Sequence, residues 1–195
     1  LGCFLDHPSL KGLVVSLAVD DPYWPSLACA NDPRIQRADG GSERSGSVLN
    51  ALLQLNALGA SDEDWVLVHD AARPNLGRDD LDQLLAELAD DPVGGLLAVP
   101  ARDTLKRVDK HGRVVETVDR SLIWQAYTPQ MFRLGALHRA LADSLVADAV
   151  ITDEASAMEW SGQAPRLIEG RSDNIKVTRP EDLEWLRLRW ANRSL

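Results

Sequence analysis

Three apolar residues, Val66 to Val68, run straight into His69, Asp70 and Arg73, and Pro74 stops the run. A short apolar run of this kind reads as a fully buried strand, which needs cover on both of its faces. In an open α/β sheet, ligands bind outside the carboxyl ends of the strands, so polar residues dropped there are candidates for chemistry. An acid three residues ahead of an arginine suits a site that holds both a cation and a phosphate, Asp70 facing the metal and Arg73 the oxygens. The same spacing also describes a plain turn closed by a salt bridge.

The rest of the chain supplies the cover. Leu13 to Val19 reads as a strand rich in Val, ended by Asp20-Asp21-Pro22, and Arg34 to Arg37 as a short one. The loop Asp39-Gly40-Gly41-Ser42-Glu43-Arg44-Ser45-Gly46-Ser47 then opens a helix whose stripe is Val48, Leu52, Leu55 and Leu58. A turn rich in Gly and Ser before a helix can turn backbone N–H groups toward phosphate or sugar oxygens, although plain capping has the same composition. No G-x-x-x-x-G-K-[ST] pattern is present. After the central strand, Asp79 and Asp80 lead a helix with Leu81, Leu84, Leu85 and Leu88 inward, and Gly94 to Pro100 is another buried strand. Strands alternating with helices predict a parallel α/β sheet.

The rhythm changes at Ala101. Residues 102–108 and 113–120 face each other across Asp109-Lys110-His111-Gly112 as a half-polar hairpin, within an arm over 101–122. A lone hairpin is marginal in water, so this one is expected to pack on something, a second copy of the chain included. Ile123 to Thr128 returns to the sheet and is expected to close at Pro129. Leu134, Leu137, His138 and Leu141 mark the next helix, with His138 a packing residue. Thr152-Asp153-Glu154 reads as a polar helix start and Leu167 to Gly170 as a short strand. Thr178-Arg179-Pro180-Glu181 predicts a capping box, Thr178 as cap and Glu181 at the third helical position, before a last helix buried through Leu183, Leu186 and Trp190. Lys176, just ahead of that helix, is either a solvated lysine or one that faces a phosphate.

Composition narrows the partners. Lys plus Arg number 21 against 30 for Asp plus Glu, a net charge of −9, which argues against non-specific nucleic-acid or acidic-membrane binding. Cys3 and Cys29 form no metal pattern, and with no secretory signal or membrane-length apolar run the expected compartment is a reducing cytoplasm. The 195 residues are enough for one domain, 1–195, with the arm as an appendage.

Four segments together resemble the 2-C-methyl-D-erythritol 4-phosphate cytidylyltransferase family. They are Val68 to Pro74; Pro100 to Arg107; Thr117-Val118-Asp119-Arg120 with Thr128-Pro129-Gln130; and Ile151 to Ser156 with Asp173 to Asp182. The resemblance runs along essentially the whole chain in order. It implies a Rossmann-like nucleotidyltransferase domain, α/β with a mixed, mostly parallel sheet and a protruding β-arm that clasps a second subunit in a homodimer. It also implies transfer of CMP from CTP to methylerythritol phosphate, with Mg²⁺ and release of pyrophosphate, in non-mevalonate isoprenoid biosynthesis.

Residue by residue, the resemblance assigns Asp70, Ala71 and Arg73 to the two substrates, and the cation that the Asp–Arg spacing sets against Asp70 is then Mg²⁺. Gly41, Ser42 and Ser47 match the base- and ribose-reading segment, Ser42 standing where relatives often carry an acid. Thr104 and Arg120 match residues that reach the sugar phosphate from the partner subunit, and Thr128 and Thr152 match polar groups lining that pocket. Lys176 matches a lysine that holds methylerythritol phosphate near the nucleotide phosphates. The attacking phosphate oxygen is already a competent nucleophile, so repulsion and alignment are the obstacle. Arg120, Arg73 and Lys176 are the cations for that task, no general base is required, and His69 is expected to be structural.

The family's first strand and glycine-rich loop are expected upstream of Leu1, a start of about 30 residues in a strand–loop–helix unit, so these residues alone are expected to be inactive. No fused downstream domain is expected after Leu195. Two other readings stay open: a cytidylyltransferase for another polyol phosphate such as ribitol 5-phosphate, and a doubly wound binding module with Asp70 as a solitary acidic switch. A purely dimerising scaffold is a third.

Overall fold

The computed structural model describes residues 1–191. After a one-turn helix α1 (Gly2–Leu5) come β1 (Leu13–Leu17), β2 (Ile35–Asp39), α2 (Arg44–Ala57), β3 (Trp65–Val68), α3 (Arg78–Leu88) and β4 (Gly94–Pro100). The hairpin β5 (Leu105–Val108) and β6 (Val114–Val118) leads to β7 (Trp124–Arg133), α4 (Leu134–Val146), α5 (Glu154–Trp160), β8 (Arg166–Glu169) and α6 (Pro180–Ala191).

The central sheet has the order β3-β7-β4-β8. Strands β4 and β8 are parallel, and β7 runs antiparallel to both β3 and β4. Three of the four strands therefore share a direction, and the sheet is mixed rather than parallel throughout. The reason is local. Between β4 and β7 the chain makes only the hairpin, with no crossover helix to carry it back to the starting edge, so the returning strand must run the other way. Strands β1 and β2 form a separate parallel pair, Leu13 opposite Ile35 through Leu17 opposite Asp39.

Alternation along β4 splits the core in two. Leu96 points to a layer made by Leu52 of α2, Leu137 and Leu141 of α4, and Met158 of α5; Leu97 and Val99 point to Leu84 and Leu88 of α3 with Tyr127, Met131 and Ile168. Gly95 is needed within this strand because a Cβ there would stand 2.0 Å from the carbonyl oxygen of Arg166 on β8.

Several expectations are corrected. Strand β1 ends at Leu17 rather than Val19, since the chain already turns at Ala18 and Asp21 N–H bonds back to the Ala18 carbonyl. The hairpin strands are shorter than 102–108 and 113–120. Strand β7 does not close at Pro129 but continues to Arg133: the register jumps from Ala98–Ala126 to Leu96–Gln130, so Pro129 sits in a bulge where its missing N–H costs no ladder bond. Helix α6 starts at Pro180, which makes Asp182, not Glu181, the third helical residue. Its carboxylate accepts from the N–H groups of Thr178 and Arg179, both at 2.9 Å, and from the Thr178 hydroxyl. The expected start of α5 holds, with Asp153 as cap and Ser156 closing the box.

The hairpin pairs with neither sheet, and Val108, Val114 and Val115 on it are more than half exposed. No helix among the described residues is long and apolar enough to cross a membrane.

Candidate active site

The carboxyl end of β3 is where separate pieces of chain meet. Arg73 N–H bonds back to the Asp70 carbonyl, making the turn that the Asp–Arg spacing suggested, but the side chains do more than close it. The Asp70 backbone N–H donates to Thr128 Oγ1 at 3.1 Å, which seats the strand end against the β7 bulge. His69 lies in the same seam. Its Nε2 faces the Arg73 carbonyl and its Nδ1 faces the Thr128 hydroxyl, both at 2.9 Å, so Nε2–H donates to the carbonyl and Nδ1 accepts from the hydroxyl in the neutral tautomer. Burial pushes this imidazole down to about 4, and its ring packs at a tilt on Phe4. His69 packs here as a hydrogen-bonding spacer between the Arg73 carbonyl and the Thr128 hydroxyl, which fits the structural part expected of it.

Asp70 sits among three cations. Arg44 Nε donates to Oδ1 at 3.1 Å, Lys176 Nζ lies 3.1 Å from Oδ2, and Arg73 Nε is 3.8 Å from Oδ2. Burial by itself would raise the Asp70 carboxyl; Arg44 and Lys176 outweigh it and hold the group below the ordinary carboxylate range. Lys176 reaches this position because Val177 N–H bonds to the Ala72 carbonyl at 2.7 Å, while the wholly buried Asn174 donates its amide to the Thr128 carbonyl at 2.8 Å. The Lys176 side chain stays 44% exposed and Arg44 34%, so two cationic faces remain open to an incoming anion.

Arg73 is placed differently from the expectation that it faces substrate. Its Nη1 donates to the Asn174 carbonyl at 2.9 Å, its Nη2 to the Ala126 carbonyl at 3.3 Å, and the guanidinium lies over the Tyr127 ring at 4.4 Å. It holds strands and the Lys176 segment together, with only Nε turned toward Asp70.

Gly41 and Ser42 belong to the loop that opens α2, whereas Ser47, expected in that loop, is the fourth residue of the helix. Ser47 Oγ accepts from Gly41 N–H at 2.9 Å and donates to the Glu43 carbonyl, and the Ser47 carbonyl accepts from Ser16 of β1. Ser42 is exposed, as is Ala71 beside Asp70. Thr152 is exposed at the start of α5, its N–H bonded to Ser156 Oγ. Thr104 and Arg120 stand exposed at the foot of the hairpin, and among the described residues no hydrogen bond or ion pair joins them to the Asp70 cluster within one chain.

Three residues in and around the cluster carry no sequence signal that assigns them to it. Arg44 gives Nη1 and Nη2 to the two oxygens of Glu154 at 2.6 and 2.9 Å, and Glu154 is fully buried. Arg44 follows the Gly/Ser loop and Glu154 follows Thr152-Asp153, and no spacing rule connects residues 110 apart. Gln130 is a third: its amide bridges Asp153 and the Ala155 N–H, fixing α5 to β7.

Three cations against two carboxylates leave the cluster one positive charge in excess, which suits a phosphate-bearing ligand. Among the described residues no group of three or more His, Cys, Asp or Glu could enclose a metal. Both oxygens of Asp70 are ion-paired, Oδ1 with Arg44 and Oδ2 with Lys176, so this carboxylate would serve a Mg²⁺ ion only once an arriving phosphate draws Lys176 away.

Comparison with known proteins agrees with the geometry. The sequence profile of the 2-C-methyl-D-erythritol 4-phosphate cytidylyltransferases matches residues 1–187. The chain is 95% identical over 193 residues to such a protein of Pseudomonas fluorescens, covering 99% of this chain and 82% of the relative, and 81% identical to one of Pseudomonas putida over the same shares. The structure is similar to a crystal structure of 4-diphosphocytidyl-2C-methyl-D-erythritol synthase, with TM-score 0.84 and 41% identity over 96% of this chain and 86% of that one. It is also similar to the Francisella tularensis cytidylyltransferase, with TM-score 0.81 and 38% identity over 95% and 83%. The chain is a member of the 2-C-methyl-D-erythritol 4-phosphate cytidylyltransferase family, a family of nucleotidyltransferase enzymes.

Proposed function

We propose that the protein transfers CMP from CTP to the phosphate of 2-C-methyl-D-erythritol 4-phosphate, forming 4-diphosphocytidyl-2-C-methyl-D-erythritol and pyrophosphate in non-mevalonate isoprenoid biosynthesis. The observation that carries this reading is the Lys176–Asp70 pair at the end of β3: a half-exposed ammonium held beside a carboxylate, in a cluster with surplus positive charge.

The reaction brings a phosphate monoester to the α-phosphorus of a triphosphate. Lys176 would take the acceptor phosphate, lowering the repulsion between the two anions and aligning the attacking oxygen. Arg120 and Thr104 would reach the same phosphate from the arm of a second copy in a homodimer; their exposed position on an unsupported hairpin is what favours that arrangement. Thr128 and Thr152 would line the polyol side, and Gly41, Ser42, Ser47 and Ala71 the nucleotide side. Asp70 would hold Mg²⁺ with the nucleotide phosphates, and the ion's charge would offset that of the departing pyrophosphate. Arg73 acts at one remove, by holding the Lys176 segment in place. Neutral His69 takes no proton in this scheme, because the nucleophile needs none removed. A cytoplasmic setting fits the absence of a cysteine framework.

The test is pyrophosphate release by the full-length protein from CTP, Mg²⁺ and methylerythritol phosphate, beside Arg120→Ala and Lys176→Ala. Collapse in both variants supports the reading. Turnover with ribitol 5-phosphate instead would keep the chemistry and change the acceptor, and no release with either acceptor would end it.

A further inference from the structure

A buried glutamate with no assigned task stands behind the site. Glu154 is the first residue of α5, two places after Thr152, and is wholly inaccessible. Arg44 is the first residue of α2, directly after the short loop that holds Gly41 and Ser42. Their end-on pairing uses both terminal nitrogens of Arg44, at 2.6 and 2.9 Å, so only Nε is left for Asp70. That contact goes to Oδ1, and Lys176 takes Oδ2 at 3.1 Å.

The planar guanidinium has an alternative. Turned side-on, through Nε and one terminal nitrogen, it would span both oxygens of Asp70, the forked geometry arginine favours with carboxylates. Glu154 prevents this by occupying the far edge of the fork.

We propose that Glu154 is a positioning residue for the transfer: it holds Arg44 end-on, so that Arg44 grips one oxygen of Asp70 and leaves the other to Lys176. The proposal rests on the reading that Lys176 receives the acceptor phosphate. The lysine ammonium sits on a flexible four-carbon stem, and its contact with Oδ2 is what keeps it at the strand end before the acceptor arrives. With Glu154 neutralised, the charge on Arg44 finds its nearest remaining partner in Asp70, the guanidinium turns across both oxygens, and Lys176 loses its anchor.

The experiment compares the full-length wild type with Glu154→Gln, Glu154→Asp and the double variant Glu154→Gln with Arg44→Lys. Two quantities are read: steady-state KM values for CTP and for methylerythritol phosphate, and calorimetric Kd of methylerythritol phosphate in the presence of a CTP analogue with a non-cleavable α–β bridge. Glu154→Gln is expected to raise acceptor KM and Kd together by about tenfold, the scale of one charge-assisted contact, with a smaller rise in the KM for CTP because Asp70 also serves the Mg²⁺ of the nucleotide. Glu154→Asp, with its charge kept and its reach shortened, is expected to lose about threefold. Adding Arg44→Lys to Glu154→Gln is expected to return acceptor affinity most of the way, because a point-like ammonium cannot span both oxygens of Asp70.

An unchanged acceptor Kd in Glu154→Gln would overturn the proposal. So would losses in both KM values that track a fall in melting temperature and are not rescued by the second substitution, since Glu154 would then only support the fold. Failure of the wild type to turn over either acceptor would instead sink the reading of function, which separates the two.

Discussion

Arg73 Nη1 donates to the backbone carbonyl of Asn174 at 2.9 Å, joining the turn after β3 to a segment 101 residues further along the chain. That bond, with the one to the Ala126 carbonyl and the stacking on Tyr127, makes Arg73 the tie between the strand end and the segment that carries Lys176. Lysine in its place keeps the charge and loses the fork and the planar face. Arg73→Lys is expected to cost about 2–3 kcal/mol of stability in a denaturant titration and to lower turnover through Lys176. Full stability in that variant would show that the tie is dispensable.

Gly41 closes its loop so tightly that an added Cβ would lie 2.7 Å from the carbonyl carbon of Gly46 and 2.8 Å from the Ser47 nitrogen. Backbone on backbone cannot give way as a side chain can, so Gly41→Ala must open the loop. The expected result is a KM for CTP raised by about tenfold or more, with acceptor affinity and melting temperature little changed. Equal losses for both substrates would remove this loop from the nucleotide side.

His69 gives the protein a defined weakness in acid. Its native imidazole is depressed from 6.5 to about 4. As pH falls the unfolded chain takes up the proton first, so the stability contributed by the neutral, buried ring is complete above the unfolded value and is lost between 6.5 and about 4. The loss amounts to about 3 kcal/mol at most. Unfolding measured across that window, without nucleotide or divalent cation, should show the slope, and His69→Asn should flatten it. A slope unchanged by the substitution would assign the acid sensitivity to other groups.

The proposed sharing of the site between two copies of the chain makes a mixing prediction. Arg120→Ala and Lys176→Ala homodimers should each be nearly inactive, whereas a mixture refolded or exchanged together should recover roughly a quarter of wild-type activity. Half of the dimers are then mixed, and each has one of its two sites intact. No recovery, despite subunit exchange shown by mass, would place both residues in the same subunit's site.

The elements that could be read from the sequence are those whose signal is local. The buried run of β4 appears with its observed bounds, Gly94 to Pro100, because its faces are covered on both sides and its residues are apolar throughout. The stripe of α3 was equally plain. Asp70 and Lys176 also stood out individually, as charges placed where a strand or a loop gives out. The direction of β7 was not local. It followed from the hairpin's lack of a crossover, and the bulge at Pro129 let a strand pass through a residue that normally ends one.

The sequence by itself determined the alternation of strands and helices, the unsupported hairpin and the motifs that resemble one enzyme family, because hydrophobic period, turn chemistry and contiguous motifs act over a few residues. Only the tertiary structure decided that Arg44 stands between Asp70 and Glu154, and that Arg73 faces backbone carbonyls rather than open solvent. A buried ion pair is chosen by which charges the packed elements leave within reach of each other, and for residues 110 apart in the chain no local pattern records that choice.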